Sequence, residues 1–339
     1  MKILITGASG HLGTHLIALL TKDNTHEIIA VALDATTAAS LKNFSTIKKY
    51  DIDICDDRLL DPLCMGCDIV YHLAAMVPPI IPTPNMEEKM FRVHVDGTRT
   101  VTSLALKYCV KRFIHLSTIH AYAELFDDAP LDESGEWIST EKNKYISPYD
   151  RTKAQAELVV RDAIKSGLNA LIIQPTGIIG PNDYKKSPTN YVIHQAAVGK
   201  VSTVPDAGFN WVDVRDVAST LKNALILGRI GESYILAGSF HDLVELVSLA
   251  YQTKQLTKKP KTIPLWVLSI IIPVAWFFAR LFSIPTALRP QTLYSLKNPH
   301  KNINDKKARS ELNHTNRSID ESVRDTILSN APNELGAVT

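Results

Sequence analysis

Tyr149 and Lys153 stand four residues apart in the stretch Ser147-Pro148-Tyr149-Asp150-Arg151-Thr152-Lys153. Serine is a favoured N-cap and proline suits the first helical position, so the stretch predicts a helix start. A spacing of four then places the phenol and the ammonium on one helix face. A free tyrosine, with a pKa near 10, is a poor base. A neighbouring ammonium favours the phenolate and is expected to pull that value towards neutrality. Such a pair can move a proton to and from the oxygen of a hydroxyl–carbonyl couple. Thr118, just after the apolar run Arg112–Leu116, can hydrogen-bond the same oxygen.

A Tyr-x-x-x-Lys pair is common in helices, and it gains its meaning here from the start of the chain. Lys2–Thr6 is an apolar run of strand length, followed by Gly7, Gly10 and Gly13 at spacings of three. From His11 the apolar residues Leu12, Leu16, Leu19 and Leu20 recur at helical intervals. Strand, glycine turn and helix are the context in which a glycine motif reads as a dinucleotide cradle. Gly7 permits the tight turn, Gly10 lets a pyrophosphate approach the backbone, and Gly13 lets the helix sit close on the strand. The free N–H groups and the positive dipole end of that helix favour phosphate.

Further strands are expected at Glu27–Leu33, Ser45–Tyr50, Ile69–Leu73, Arg112–Leu116, Leu168–Gln174 and Ser233–Leu236. Helices are expected at Asp57–Leu63, over a long stretch from Met86 to Cys109, and from Pro148. Strands alternating with helices imply right-handed crossovers and an α/β, doubly wound parallel sheet. Ligands of such sheets bind at the carboxyl ends of the strands. Gly7, Asp34, Ala74, Thr118 and Pro175 all fall there. A proline-rich loop (Pro78, Pro79, Pro82, Pro84), an acidic loop from Asp127 to Glu141 and a turn-rich loop from Gly180 to Pro188 interrupt the rhythm. From about Phe240 the chain is expected to be mostly helical. The expected division is a dinucleotide-binding domain over 1–174, with 210–238 returning to it. A smaller substrate lobe takes 175–209 and 239–330, and 331–339 forms a flexible tail.

The 339 residues carry a net charge of +2, which gives no case for nucleic acid, a ligand that wants a clustered basic face. Four cysteines (Cys55, Cys64, Cys67, Cys109) suit a reducing cytosol better than a disulfide scaffold. Cys64-Met-Gly-Cys67 has no second ligand pair at zinc spacing, so no metal is expected. The chain is read as opening on its first strand without a secretory signal. The expected localisation is cytoplasmic.

TGASGHLG (6–13), DIVYHLAA (68–75), HVDGT (94–98), HLSTIHAY (115–122), SPYDRTK (147–153), QPTGIIGP (174–181), WVDVRDVA (211–218) and GESYILAG (231–238) follow one another in this order. In these segments the chain resembles the extended short-chain dehydrogenase/reductases, the NAD-dependent epimerase/dehydratase group with a Rossmann-type sheet. The later segments are most similar to a branch holding 3β-hydroxysteroid dehydrogenases, dihydroflavonol-reductase-like proteins and hopanoid-associated sugar epimerase-like proteins. The resemblance implies that Thr118, Tyr149 and Lys153 form the catalytic triad. It implies dinucleotide contacts from Gly7, Ser9, Gly10, His11, Leu12, Gly13, Asp34, Ala74, Ala75, Tyr149, Lys153 and Pro175. By the same resemblance Asp53 and Ile54 lie beside the adenine.

Two departures from the group matter. His94 stands where the group has an asparagine that helps to position the catalytic lysine, and it is read as a substitute able to hydrogen-bond. Ile119 and His120 replace the Asp-Glu pair that sugar dehydratases use to eliminate water, which argues against a 4,6-dehydratase. For the cofactor, a carboxylate at the end of the second strand binds the ribose and repels a 2′-phosphate. Asp34 stands at about the right interval, although Ala32 occupies the usual acidic position. No arginine stands at Leu33 or Ala35, so NAD is favoured and NADP left open.

Three functions remain open. They are an oxidoreductase for a secondary alcohol or ketone on a largely apolar small molecule, a sugar epimerase that retains its NAD, and a dinucleotide-binding regulator without catalysis. A homodimer is compatible with the sequence. The most apolar stretch, Ile263 to Phe282, shares most of its length with an uncharged run of 18 residues from Thr262 to Ala279. Pro264, Pro273 and the family-like helices beyond it argue against a membrane span and leave a core helix or a lid. Lys258, Lys259 and Lys261 precede it, and a peripheral membrane contact through 263–282 is expected.

Overall fold

In a computed structural model of the chain, residues 1–22, 25–79, 81, 83, 85–123, 130–138, 140–141, 145–282, 284 and 286–329 are described. Asp127, Asp128, Ala129 and Ser139 of the expected acidic loop, Pro82 and Pro84 of the proline-rich loop, and the expected tail lie outside these residues. In chain order the Rossmann half runs β1 (Lys2–Thr6), α1 (His11–Leu20), β2 (Glu27–Ala32), β3 (Lys48–Asp51), α2 (Asp57–Cys64) and β4 (Ile69–His72). It continues with α3 (Met86–Phe91), a π-helical turn (Arg92–Asp96), α4 (Gly97–Lys107), β5 (Arg112–Leu116), α5 (Pro148–Lys165) and β6 (Ala170–Pro175).

Then come β7 (Gly177–Ile179), α6 (Pro188–Ala197), β8 (Thr203–Pro205), β9 (Gly208–Asp213), α7 (Val214–Leu227) and β10 (Ser233–Leu236). The last part holds β11 (Ser239–Asp242), α8 (Leu243–Thr253), β12 (Lys261–Ile263) and α9 (Leu265–Leu281). It closes with α10 (Pro290–Lys297), α11 (Lys306–Leu312) and α12 (Ile319–Leu328).

Seven parallel strands form the main sheet in the order β10-β6-β5-β4-β1-β2-β3. The order reverses between β1 and β4, and a crevice opens at the carboxyl ends of strands that part in this way. Apart from the edge strand β3, the strands are buried on both faces, which is why they read as continuous apolar runs rather than alternating ones. On one face Leu16 and Leu20 of α1, Val217 and Leu221 of α7 and Leu312 of α11 cover the sheet. On the other lie Leu60 of α2, Val101 and Leu104 of α4 and Val160 of α5.

Three differences from the sequence expectations have physical causes. The third strand begins at Lys48 rather than Ser45, because only Lys48–Asp51 find partners on β2. The expected helix from Met86 to Cys109 stops at Lys107 and is broken by the π turn at Arg92–Asp96, an arrangement frequent at functional sites. The stretch after Phe240 is mostly helical as expected, and the difference is two short strands within it. β11 pairs antiparallel with β9, and β12 pairs with β8.

A three-stranded sheet, β11-β9-β7, carries the chain away from the main sheet. Gly238 makes the passage from β10 to β11, where its N–H donates to Asn210 Oδ1 at 2.8 Å. A Cβ at this position would sit 1.6 Å from the Trp211 carbonyl oxygen, and backbone cannot move aside as a side chain can. Gly238→Ala is therefore expected to cost about 3 kcal/mol or more by overpacking, read as a lower urea midpoint. An unchanged midpoint would mean that the two strands are not held this closely.

Candidate active site

The glycine turn meets the sheet at the crevice. Gly7 has φ +69°, and a Cβ on it would lie 2.7 Å from the Ala74 backbone nitrogen, so only glycine fits between β1 and the chain leaving β4. A Cβ on Gly13 would come within 2.5 Å of the Gly7 carbonyl oxygen. Gly10 is the N-cap of α1 with no side-chain hydrogen bond, and no acidic residue stands in the first turn. The helix start is therefore open to an anion. Ala74, beside the cradle, donates its N–H to Thr6 Oγ1. Pro175, at the end of β6, is in register with Leu236 of β10. These features fit a dinucleotide pyrophosphate.

A loop from far along the chain closes over this cradle. His11 and His15 both donate Nε2–H to the Pro181 carbonyl, at 2.8 and 2.9 Å. Burial lowers the pKa of both rings, His15 to about 4, so they stay neutral donors. Further along the loop Lys185 pairs with Asp34, whose other oxygen accepts from Ser9 Oγ at 2.6 Å. Burial alone would raise the Asp34 pKa, but the hydrogen bonds from Lys185 and Ser9 hold it below its usual value. Sequence reasoning looked for a cation at Leu33 or Ala35 and missed Lys185, which reaches Asp34 across 151 positions. Leu12 is buried under the turn. Ile54 packs against Gly97, while Asp53 pairs with Arg92 at 2.7 Å and caps Cys55 N–H.

The acid–base group forms where α5 meets the end of β5. Ser147 Oγ accepts from Asp150 N–H and starts α5, which carries Tyr149 and Lys153 on successive turns. Lys153 is 2% exposed and donates Nζ–H to the Leu116 carbonyl at 2.7 Å. Burial lowers its pKa to about 8, against the opposing pull of Glu157. Thr118 is buried beside them, and its hydroxyl lies against the phenol and favours the ionised form. The expectation of a lowered Tyr149 pKa does not hold in this structure. Burial, helped by the Asp150 charge, pushes it above the ordinary value. The physical reason is that the ammonium is itself desolvated and directed at a backbone carbonyl.

One residue the sequence reading did not single out lies one turn further on. Glu157, 0% exposed, accepts from Ser117 Oγ at 2.5 Å, from Gln174 Nε2 at 3.0 Å and from Arg161 at 2.8 Å. Its pKa is raised by burial in spite of these donors. Tyr149, Lys153 and Glu157 repeat at every fourth position, and that spacing was the available signal. Glu157 thus ties α5 to β5 and β6 directly behind the lysine.

His94 enters the site from the π turn, edge-on to the Tyr149 ring at 5.6 Å between centroids. Its Nε2 accepts from Met76 N–H at 2.9 Å, so the proton is assigned to Nδ1, which donates to Thr152 Oγ1 at 2.8 Å. Thr152 passes its own proton to the Pro148 carbonyl. Both ring nitrogens are engaged and burial lowers the pKa to about 3, so His94 orients α5 rather than trading protons. His120, by contrast, lies 3.9 Å from Asp150 with a half-exposed ring.

A glycine cradle at the switch point of a parallel sheet, beside a tyrosine–lysine pair, is the arrangement expected of a dinucleotide-dependent enzyme. Residues 3–237 match the NAD dependent epimerase/dehydratase family, and the chain belongs to it. NAD is the cofactor of that family. The chain is 31% identical over 240 residues to "Sterol demethylase protein B" of Methylococcus capsulatus, covering 70% of each chain. It is 28% identical to a dTDP-glucose 4,6-dehydratase of Mycobacterium tuberculosis over 70% of this chain and 72% of that one. Among solved structures it is similar to gox2253, with a TM-score of 0.83 and 28% identity over 96% of this chain and 97% of that one.

The lysine carries a pH signature. Its folded pKa of about 8 lies below the unfolded value near 10.4, so the unfolded chain binds more protons between these limits. Burying the ammonium therefore costs stability below pH 8, and the cost fades as pH rises towards 10.4. Relative to Lys153→Met, the wild-type chain without cofactor is expected to gain on the order of a few kcal/mol across that window. Urea unfolding of both proteins at pH 7 to 10.5 measures it. A pH-independent difference would mean an ordinary lysine pKa.

Proposed function

We propose that the protein is an NAD-dependent oxidoreductase that interconverts a secondary hydroxyl and a ketone on a largely apolar, sterol- or lipid-like molecule. The substrate class is read from the apolar α9–α10 lobe, which one ring contact links to the start of α5. Tyr294 of α10 packs on Tyr145, four residues before Tyr149, with ring centroids 5.7 Å apart. The α9–α10 pair behind it is held by Leu268, Ile272 and Leu296. The sterol-linked relative supports the same class. The lack of an Asp-Glu pair after Thr118 weighs against the dehydratase chemistry named for other relatives.

When bound, the nicotinamide supplies the acceptor or donor of a hydride at the carbinol carbon. The chain's residues handle the oxygen. Thr118 hydrogen-bonds it and orients it towards Tyr149. Tyr149 Oη, a protonated phenol in this structure, gives its proton to the oxygen on reduction, and its ionised form takes the hydroxyl proton on oxidation. Lys153 supplies a positive charge on the same helix face, and Glu157 and His94 hold that face in place. Residues of the 7–13 turn would hold the pyrophosphate, with Ala74, Ala75 and Pro175 lining the groove and Asp34 available to the ribose.

Tyr149→Phe is expected to leave NAD(H) affinity nearly unchanged and to lower turnover by about 100-fold or more, measured with NAD and a panel of sterol-like secondary alcohols. Retention of most activity would require another base. Gly10→Val is expected to abolish NAD(H) binding in a folded protein, because a branched side chain would stand where the pyrophosphate approaches. Calorimetry with unchanged affinity would remove the cradle from the proposal. An epimerase that regenerates its cofactor would instead purify with tightly held NAD and act on nucleotide sugars.

A further inference from the structure

The helix α9 shows its apolar side outwards. Leu268, Ile272 and Ala279 are its buried residues, facing Ala207, Leu243, Leu293 and Leu296. On the opposite side Trp266, Ile270, Val274, Phe277, Leu281 and Phe282 are exposed, each by more than half. They recur at intervals of three and four for most of the helix and make one continuous stripe. A soluble monomer rarely exposes so large a contiguous apolar face. Seventeen residues with one buried side do not cross a bilayer, and no described helix is long and apolar enough to do so.

Charge singles out the occupant. Between Glu245 and Asp305 the chain has no carboxylate and eight lysines and arginines, although the whole protein carries only +2. Lys258, Lys259 and Lys261 are exposed ahead of the helix, and Arg280 is exposed near its end, stacked on Trp276 at 5.6 Å. None of the eight forms an ion pair with another described residue, whereas most basic residues of α5 and α7 do so where carboxylates are near. An apolar stripe with unpaired cations at both ends matches a bilayer surface. The acyl region takes the aromatic residues, and anionic headgroups meet the lysines.

We infer that α9 lies flat in the interface of an anionic membrane and docks the protein there through Trp266, Ile270, Val274 and Phe277, flanked by Lys258, Lys259, Lys261 and Arg280. Docking of this kind does not depend on which substrate is turned over. It gives the Tyr145–Tyr294 rim access to a molecule dissolved in the bilayer, and that consequence alone rests on the proposed function.

The test is flotation of the full chain with vesicles of phosphatidylglycerol and phosphatidylcholine, against pure phosphatidylcholine. Binding is expected to the anionic vesicles, weaker by at least tenfold on the neutral ones and reversed by 0.5 M salt. Phe277→Glu and Ile270→Glu, both at exposed positions, should abolish it with circular dichroism and NAD(H) affinity unchanged. Changing Lys258, Lys259 and Lys261 together to Gln should weaken it several-fold. Absence of binding at every composition overturns the inference, as does binding that the two Glu variants retain. It is equally overturned if Phe277→Glu converts a vesicle-indifferent dimer to a monomer. Failure of the substrate reading would show separately, as membrane binding by a protein inactive on every apolar alcohol.

Discussion

The structure depends on a buried cation at the seam between α5 and β5. Lys153 has no solvent and spends its ammonium on the Leu116 carbonyl, with the Glu157 carboxylate one turn behind. Glu157 is itself paired with Arg161 at 2.8 Å and bonded to Ser117 and Gln174, so the lysine is one part of a connected polar set rather than of an isolated ion pair. The seam is thus costly to rearrange. It fixes Thr118 at the end of β5 against Tyr149 at the start of α5, so the proton-handling group inherits its geometry from the sheet.

The same logic explains the neighbouring histidines. His94, His72 and His115 fill the space between the crevice and α4, and burial keeps all three neutral. His72 Nε2–H donates to Thr98, which donates to the His94 carbonyl. His72 and His94 are held by these bonds, and with all three rings neutral no like charge is added beside Lys153 at neutral pH. The π turn is the local deformation that brings His94 into line.

Around this centre the two ends of the cleft are closed by segments remote in sequence. On the cofactor side the 180–187 loop is pinned by His11 and His15 and reaches Asp34 through Lys185. On the substrate side α10 meets Tyr145, and the 302–304 segment pairs with Leu131. Rigid strand ends therefore carry the chemistry, while connecting segments shape what reaches it.

By itself the sequence determined the parallel α/β sheet, its glycine turn and the Tyr149–Lys153 pairing. These are local: strand runs, glycine spacing and a four-residue helix repeat each act within a few turns of chain. The Asp-Glu pair missing after Thr118 was legible for the same reason. Tertiary structure alone decided the protonation of Tyr149, the part played by Glu157, the tautomer of His94 and the Lys185–Asp34 pair. It also decided which side of α9 faces outwards, since Ile263–Phe282 is apolar all round and a periodicity argument has nothing to grip. Each of these depends on desolvation or on partners brought from distant positions. Neither is encoded in the spacing of neighbouring residues.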